Sequence, residues 1–452
     1  MKLMGNNRAV FYFDVEVKRR ELLSRLTIAA LLAERGYHVF IGERATLESI
    51  RKIIPRATVV RKSVRSNSID ILKELKGSGC KIVNLEEEGV LIGSLDQYVS
   101  LNMPSNAVDI AEKHFLWGGE QLKELQYLYP ELADNFSMVG NPRLCLWKDK
   151  YYGYYDDLSS KIQNEFGEFV LMSSNFAIYT NKRLVNEMLA IAGFFDSSAN
   201  VEMHSEKFKI VKFLYREFVK AAKAISVTGI KVVFRPHPAD SIQKIIDDFA
   251  GYDNVVVSSE YDVAPWILAS RAVIHNCCST GLEAVFMKKN TIAYTPNSIS
   301  LYKLNEVNQI AKVALNVDEL LDCIFSPAKF VSSRIGLDGY LNTDVELNNI
   351  VNALEKVQTK SNFELSKVRI SPIRYKFNKL FYNNSRKLKD ALIFNKIKKR
   401  EVDTLRSKFP VTDSNELTDY LLCIYNSGLL KKTINCCPVG KNIFYLHFER
   451  IK

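Results

Sequence analysis

The sequence predicts a two-domain α/β protein, each domain a parallel sheet with helices on both faces. Three observations lead there. Short apolar, β-prone runs alternate with segments of helical periodicity, as in βαβ units. The alternation pauses in the polar, tyrosine-rich stretch 149–166 and restarts at Glu168. At 452 residues the chain is too long for one ordinary domain.

In the first half, Ala9–Val15 reads as a strand, and Lys18–Arg35 as a helix carrying Leu22, Leu23, Leu26, Ile28, Leu31 and Leu32 at helical spacing before Gly36. Strands at His38–Gly42, Ala57–Arg61 and Lys81–Leu85 alternate with helices at Thr46–Ile53 and Ser68–Leu75. Glu120–Tyr127 follows as a helix, and Phe136–Leu144 as a strand that breaks at Gly140-Asn141-Pro142. In the second half, strands are expected at Glu168–Phe176, Ile230–Pro238, 254–259, from Ala272, and at 291–296. Helices are expected at Glu206–Ile225, Ile242–Phe249, Val263–Ala269 and up to Lys289. Val345–Val357 reads as a helix packing back on the body, and Asn442–Ile451 as a strand. The breaks set domains at 1–165 and 166–358, each Rossmann-like, with a basic extension over 359–452. Two such sheets place ligands at the carboxyl ends of their strands, in a cleft between the domains.

Composition narrows the class. An apolar fraction of 47 % supports packed cores. None of the eight cysteines is spaced as CxxC, so neither a structural zinc nor a disulfide framework is expected, and reduced thiols in a cytoplasm are the simpler reading. The N-terminal stretch has no apolar signal-peptide core, and no run of about 18 apolar residues occurs, so a soluble or peripheral protein is expected. Residues 360–400 hold thirteen Lys or Arg against Glu364 and Asp390, which is the whole formal excess of +11. A nucleic-acid binder would spread such charge over its folded body, so no nucleic-acid partner is expected.

Three elements carry chemistry. His275-Asn276-Cys277-Cys278-Ser279-Thr280-Gly281-Leu282-Glu283 lies where a buried strand meets a helix start. Free N–H groups and the positive end of the helix suit a phosphate or carboxylate, with Ser279 and Thr280 adding hydroxyls, Gly281 allowing close approach and Glu283 within reach of a ribose diol. An ordinary Ser/Thr cap on a core helix is the plain alternative. Arg235-Pro236-His237-Pro238 ends another strand of the same half. Its prolines limit where the imidazole points, Arg235 offers a permanent cation, and His237 can hold or protonate a leaving phosphate; a rigid turn with a solvent-facing His is the alternative. Glu86-Glu87-Glu88-Gly89 follows the strand Lys81–Leu85. Adjacent carboxylates repel unless a cation or proton answers them, and one in a cleft can serve as base or nucleophile; a solvated helix start is the alternative. Asp14, Arg19, Arg20 and Glu21 follow the first strand, Arg143 follows the Gly-Asn-Pro turn, and Asn175 ends the strand starting at Glu168, all candidates for a cleft lining. No Walker A loop, GxGxxG, HExxH or metal-holding DxD occurs, and no metal is expected.

Taken together, the acidic-acidic-Gly loop, the His-Pro loop and the Ser/Thr helix start resemble, in that order, bacterial GT-B glycosyltransferases using CMP-activated sugars: sialyl- and polysialyltransferases and the Kdo transferases of capsule and O-antigen synthesis. VGNPR, SSNF, RPHP and NCCSTGLEA are also similar to a surface carbohydrate biosynthesis protein family. The resemblance spans about Ala9 to Pro296. It implies a GT-B fold with an N-terminal acceptor domain and a C-terminal nucleotide-sugar domain. It further implies Glu87 or Glu88 acting at the reacting centre, His237 assisting the departing CMP phosphate, and Ser279 and Thr280 holding phosphate or the donor's carboxylate; Arg235, Asn276, Gly281 and Glu283 are the further candidates around the donor. It implies a CMP-sugar as substrate, no cofactor and no metal. Three glutamates stand where the family has a clear pair, which leaves the catalytic one, and the retaining or inverting outcome, open.

The segment 366–400 interleaves its cations with Ile370, Ile373, Tyr375, Phe377, Leu380, Phe381 and further apolar residues. Such a stretch suits an anionic membrane surface and would bring the protein to a glycolipid or oligosaccharide acceptor on the inner face of the cytoplasmic membrane; a helical subdomain with solvated cations is the alternative. Competing functions are a UDP-sugar 2-epimerase of the same architecture and a non-catalytic membrane adaptor of a polysaccharide assembly complex.

Overall fold

The structure is a computed structural model and describes residues 9–44, 56–87, 95–181, 198–296, 306–326, 341–342, 344–358, 412–440 and 442–448. The expected helix Thr46–Ile53, Glu88 and the basic segment 360–400 lie outside these residues.

The elements run, in chain order, β1 (Val10–Val15), α1 (Lys18–Glu34), β2 (His38–Glu43), β3 (Thr58–Arg61), α2 (Ile69–Gly77), β4 (Lys81–Leu85), α3 (Leu95–Asn102), α4 (Ser105–Val108), β5 (Lys113–Leu116), α5 (Gly119–Leu128), β6 (Phe136–Met138), α6 (Pro142–Leu146), α7 (Asp156–Phe166), β7 (Phe169–Ser173), α8 (Ala177–Thr180) and α9 (Ser198–Ser226). Then come β8 (Lys231–Arg235), α10 (Ile242–Asp248), β9 (Val255–Val257), α11 (Val263–Ala269), β10 (Ala272–His275), α12 (Ser279–Phe286), β11 (Thr291–Tyr294), α13 (Glu306–Gln309), β12 (Lys312–Ala314), α14 (Val317–Phe325), α15 (Leu347–Glu355), α16 (Ser414–Asn426), β13 (Asn435–Gly440) and β14 (Ile443–His447).

The chain forms two compact units. Unit 1 takes Met1–Leu146 together with Asp338–Lys452, and unit 2 is Trp147–Leu337. Both are doubly wound α/β sheets. Unit 1 has strand order β13-β14-β2-β1-β3-β4-β5-β6, and unit 2 has β12-β11-β10-β7-β8-β9. Apart from β13 and β14, which pair antiparallel to each other, with β14 also antiparallel to β2, the strands are parallel. Parallel strands demand burial on both faces, and β1, β7 and β10 are buried along their whole length. In unit 2, one face packs Val170, Met172, Val232, Phe234, Ile274 and Ile292 against α9 residues such as Phe218 and Ile225.

The unit boundaries differ from the expected breaks at 165/166 and 358/359. The tyrosine-rich stretch is not a linker: Tyr151, Tyr154 and Tyr155 are buried, and Ile162 anchors α7. Its polar residues mask an amphipathic helix that belongs to unit 2. The chain beyond 358 is not an appended extension where it is described. β14 pairs with β2, from Ile443 opposite Gly42 to Leu446 opposite Val39. A Cβ on Gly42 would meet the Asn442 carbonyl oxygen at 2.2 Å, so the returning strand requires a residue without a side chain there.

The helix α1 explains why the C-terminal segment returns. Its residues from Glu21 to Ala33 are all buried, so it needs cover on every side. Lys18 Nζ pairs with Glu416 of α16 at 2.6 Å, and Arg35 donates to Asn348, Asn352 and Glu355 of α15 at 2.6–2.9 Å. The expected strand Phe136–Leu144 stops at Met138, and Pro142 opens α6 instead, as its fixed φ suits a first helical turn.

Candidate functional site

In unit 2 the sheet order reverses between β7 and β10. The chain leaves these neighbouring strands in opposite directions, which opens a crevice beyond their carboxyl ends. The segments Ser174-Asn175 and Asn276-Cys277-Cys278 occupy that place. Asn175 Nδ2 donates to the Cys277 carbonyl at 3.1 Å, tying one strand end to the other. Cys277 takes a left-handed φ of 50°, and its N–H donates to Asn308 Oδ1 at 2.9 Å. Asn276 is buried and donates to the Tyr294 carbonyl at 2.9 Å. Three asparagines thus hold the turn that launches α12. Asn276 does this as a structural pin, and Asn175, exposed, keeps the rest of its amide at the crevice.

The first turn of α12 carries Ser279 and Thr280, both half-buried. Its cap residue, Cys278, supplies no side-chain cap bond in the manner of Ser or Asp. Burial pushes the Cys278 thiol up, against the pull of the Gly281 and Thr280 N–H groups. Gly281 has a different reason from the expected one. A Cβ there would lie 2.4 Å from His275 Cε1, so glycine clears room for a buried imidazole. His275 is fully buried, neither ring nitrogen hydrogen-bonds to any of the described residues, and burial pushes it down to about 3. Glu283 is also buried.

The His-Pro loop follows β8, next to β7. Its two named residues divide the work. Arg235 is buried and donates through Nη1 to the Glu260 carbonyl at 2.7 Å and through Nη2 to the Tyr261 carbonyl at 2.6 Å. Trp266 donates its indole N–H to the same Glu260 carbonyl at 2.8 Å. Arg235 therefore organises the loop after β9, in which Tyr261 has a φ of 55°. His237 is exposed, and its Nδ1 accepts from the Ala239 N–H at 3.2 Å. That bond assigns the proton of the neutral ring to Nε2.

In unit 1 the order reverses between β1 and β3, and the charged residues gather at that second crevice. Arg25 of α1 is fully buried. Its Nε and Nη2 reach Glu87 Oε1 at 2.9 and 2.8 Å, and its Nη1 donates to the Val60 carbonyl at 3.1 Å and lies 3.5 Å from Asp14. Arg61 approaches Asp14 at 3.6 Å, and Lys62 bridges Glu16 and Glu21 at 3.2 and 3.1 Å. The buried charges here are Asp14, Glu21, Glu86 and Glu87 against Arg25, Arg61, Lys62 and Arg143, four of each sign. Burial pushes the Glu87 carboxyl up, opposed by Arg25, Arg143 and Lys62. Arg143 follows Asn141, whose Oδ1 accepts the Arg143 N–H at 2.8 Å and whose Nδ2 donates to the Glu86 carbonyl at 3.1 Å. Arg20 is half-buried on the first turn of α1.

The structure thus brings Asp14, Glu87 and Arg143 together in unit 1, and Asn175, Asn276, Ser279 and Thr280 together in unit 2, with His237 on the neighbouring strand end. The organising residues Arg25, Arg61, Lys62, Thr180, Asp240 and Asn308 do not stand out in the sequence, and His275 stands out only as the strand end before the helix start. Arg25 alone carried a signal, a cation inside the apolar stripe of α1.

No family model matches the chain, and no curated protein does. Solved structures similar to it include a UDP-GlcNAc 2-epimerase from Methanocaldococcus jannaschii, at 12 % identity and a TM-score of 0.47 over 77 % of this chain and 99 % of that one. The wall teichoic acid polymerase TagF is similar at 10 % identity and a TM-score of 0.46 over 78 % and 89 %. A UDP-GlcNAc 2-epimerase from Neisseria meningitidis bound to UDP-GlcNAc is similar at 10 % and 0.40 over 77 % and 98 %. At these identities and scores the likeness carries nothing about substrate or reaction.

Proposed function

We propose that the chain is a glycosyltransferase of GT-B build, which takes its sugar from a nucleotide-activated donor held at the crevice of unit 2. The observation that carries this reading is the set of groups gathered at the strand reversal: an Asn175–Cys277 tie across it, a helix start with half-buried Ser279 and Thr280, and an exposed His237 on the adjoining strand end. That set offers N–H, hydroxyl and imidazole donors to a phosphate. The sequence resemblance favours CMP as the nucleotide and Kdo or a related 2-keto sugar acid as the sugar, moved to a polysaccharide or glycolipid acceptor in bacterial surface carbohydrate synthesis. Such a donor brings a good leaving group, so positioning and charge stabilisation suffice. In this reading His237 donates to the departing phosphate. Glu87 or Glu88 of unit 1 takes the acceptor proton, a role that suits a carboxyl raised by burial. The basic segment 360–400 lies on the anionic membrane that carries the acceptor.

Thermal-shift titration with CMP, CDP, UDP and GDP tests the reading, because a ligand at about a hundred times its dissociation constant adds roughly 2.7 kcal/mol to the folded state. CMP is expected to raise the unfolding midpoint, and CMP release from CMP-Kdo with a lipid-like acceptor is expected to fall strongly in His237→Ala. Stabilisation by UDP alone points to a 2-epimerase, and silence towards all four nucleotides to an adaptor.

A further inference from the structure

We propose that Asp240 and Thr180 are positioning residues for His237, locking the loop so that its imidazole stays in one tautomer with the N–H at Nε2. The proposal rests on the reading of His237 as the group that meets the donor's phosphate, and neither residue stands out in the sequence.

The loop is closed from both sides. Asp240 N–H donates to the His237 carbonyl at 2.8 Å, and the His237 N–H donates back to Asp240 Oδ2 at 2.8 Å. This reciprocal pair sets the turn in which the Ala239 N–H points at His237 Nδ1. The other carboxylate oxygen of Asp240 reaches out of the loop: Oδ1 accepts from the Thr180 hydroxyl at 2.7 Å. Thr180, buried at the end of α8, itself accepts the Ser241 N–H at 3.4 Å, and neighbouring Asn181 donates to the Ala239 carbonyl at 2.9 Å. Pro236 and Pro238 remove two φ angles from play.

Each tie has a chemical requirement. Both Asp240 oxygens accept, so an asparagine can satisfy only one of the two donors it faces. Thr180 must donate to Asp240 while accepting from Ser241, which a hydroxyl can do and a valine cannot. The ties run from the segment after β7 to the segment after β8, so the strand end that carries Asn175 and the loop that carries His237 are set relative to each other. A histidine free to flip or exchange tautomers would present an acceptor nitrogen to an anion for part of the time. The fixed Nε2–H tautomer always presents a donor.

The test uses the full chain labelled with 15N-histidine, in which only six histidines resonate and His237→Ala assigns the relevant pair. The His237 nitrogens are expected to read as one tautomer, Nδ1 bare and Nε2 protonated. In Asp240→Ala they are expected to move to averaged positions, with Thr180→Val moving them part of the way and Asp240→Asn less than Asp240→Ala. CMP affinity, measured by calorimetry, is expected to fall about tenfold in both His237→Ala and Asp240→Ala, the scale of one charge-assisted hydrogen bond. The double variant is expected to bind like His237→Ala, because Asp240 acts only through the ring. Unchanged His237 signals in both Asp240→Ala and Thr180→Val overturn the proposal, as does a double variant whose losses simply multiply. If the tautomer is lost in Asp240→Ala yet the wild-type chain has no affinity for CMP, the positioning stands and the phosphate role of His237 falls.

Discussion

Arg25 is answered on every side inside unit 1, and removing it would strand the carboxylates of Glu87 and Asp14 away from water. Arg25→Met is expected to cost about 3–5 kcal/mol in urea unfolding at neutral pH, the scale of breaking a buried ion pair from one side. Glu87→Gln keeps the shape and an acceptor for Arg25, so it is expected to cost less while abolishing turnover if Glu87 is the base. In unit 2, Gly281→Ala drives a methyl into the His275 ring. A loss of about 1–3 kcal/mol is expected, with most of it recovered in the His275→Ala background. The two buried histidines make a further expectation. His114 is satisfied, with Nε2 at the Val108 carbonyl at 2.9 Å and Nδ1 facing Asn84 Nδ2 at 3.2 Å, while His275 has no hydrogen-bond partner among the described residues. Burial pushes His114 down to about 4 and His275 to about 3. Unfolding releases both rings to take up protons near pH 6.5, so acid favours the unfolded chain. The unfolding free energy is expected to fall between pH 6.5 and about 4, by roughly 1.4 kcal/mol per pH unit for each ring. Replacing either histidine by glutamine is expected to flatten that slope, which denaturation at a series of pH values reads directly.

At the scale of elements, the C-terminal return decides how the chain can be cut. β14 covers the edge of β2, and β13, carrying Pro438, becomes the outer strand. Proline on an outer strand discourages further pairing, whereas a bare β2 invites it. Deletion of 412–452 is therefore expected to give an aggregating or unfolded unit 1, seen in size-exclusion profiles. Replacing 366–400 by a short neutral linker spares the sheet. That variant is expected to keep the wild-type unfolding midpoint and to lose sedimentation with anionic vesicles; unchanged sedimentation would remove the membrane role of the segment. Among the described residues no helix is long and apolar enough to cross a membrane.

For the whole molecule, the two units share a plan but not a construction. Unit 2 is one continuous stretch with its own sheet and core, so residues 147–337 expressed alone are expected to unfold cooperatively and to keep the response to CMP. Unit 1 needs both of its chain segments, because α1, buried from Glu21 to Ala33, packs against α15, α16 and β14 of the returning segment. Unit 2 gathers His237, Ser279 and Thr280 at its strand ends, which is where the proposed reading puts the nucleotide.

The sequence by itself determined the alternation of strands and helices, the two-sheet plan and the positions of the strand ends that hold His237, Ser279 and Glu87. These follow from local periodicity and from the punctuation of Gly and Pro, which act within a few residues. Two elements were not legible: β5, whose Lys113 and His114 interrupt the apolar run, and the stretch 149–155, whose tyrosines hide a buried face behind polar spacing. Only the tertiary structure decided that Arg235 spends its guanidinium on backbone carbonyls, that Gly281 serves His275, that Glu87 is bound to Arg25, and that the chain's end completes the first sheet. Apart from Gly281 and His275, six residues apart across a strand-to-helix turn, these are contacts between residues far apart in sequence, and a hydrogen bond or a clash depends on where both partners lie, which no local pattern specifies.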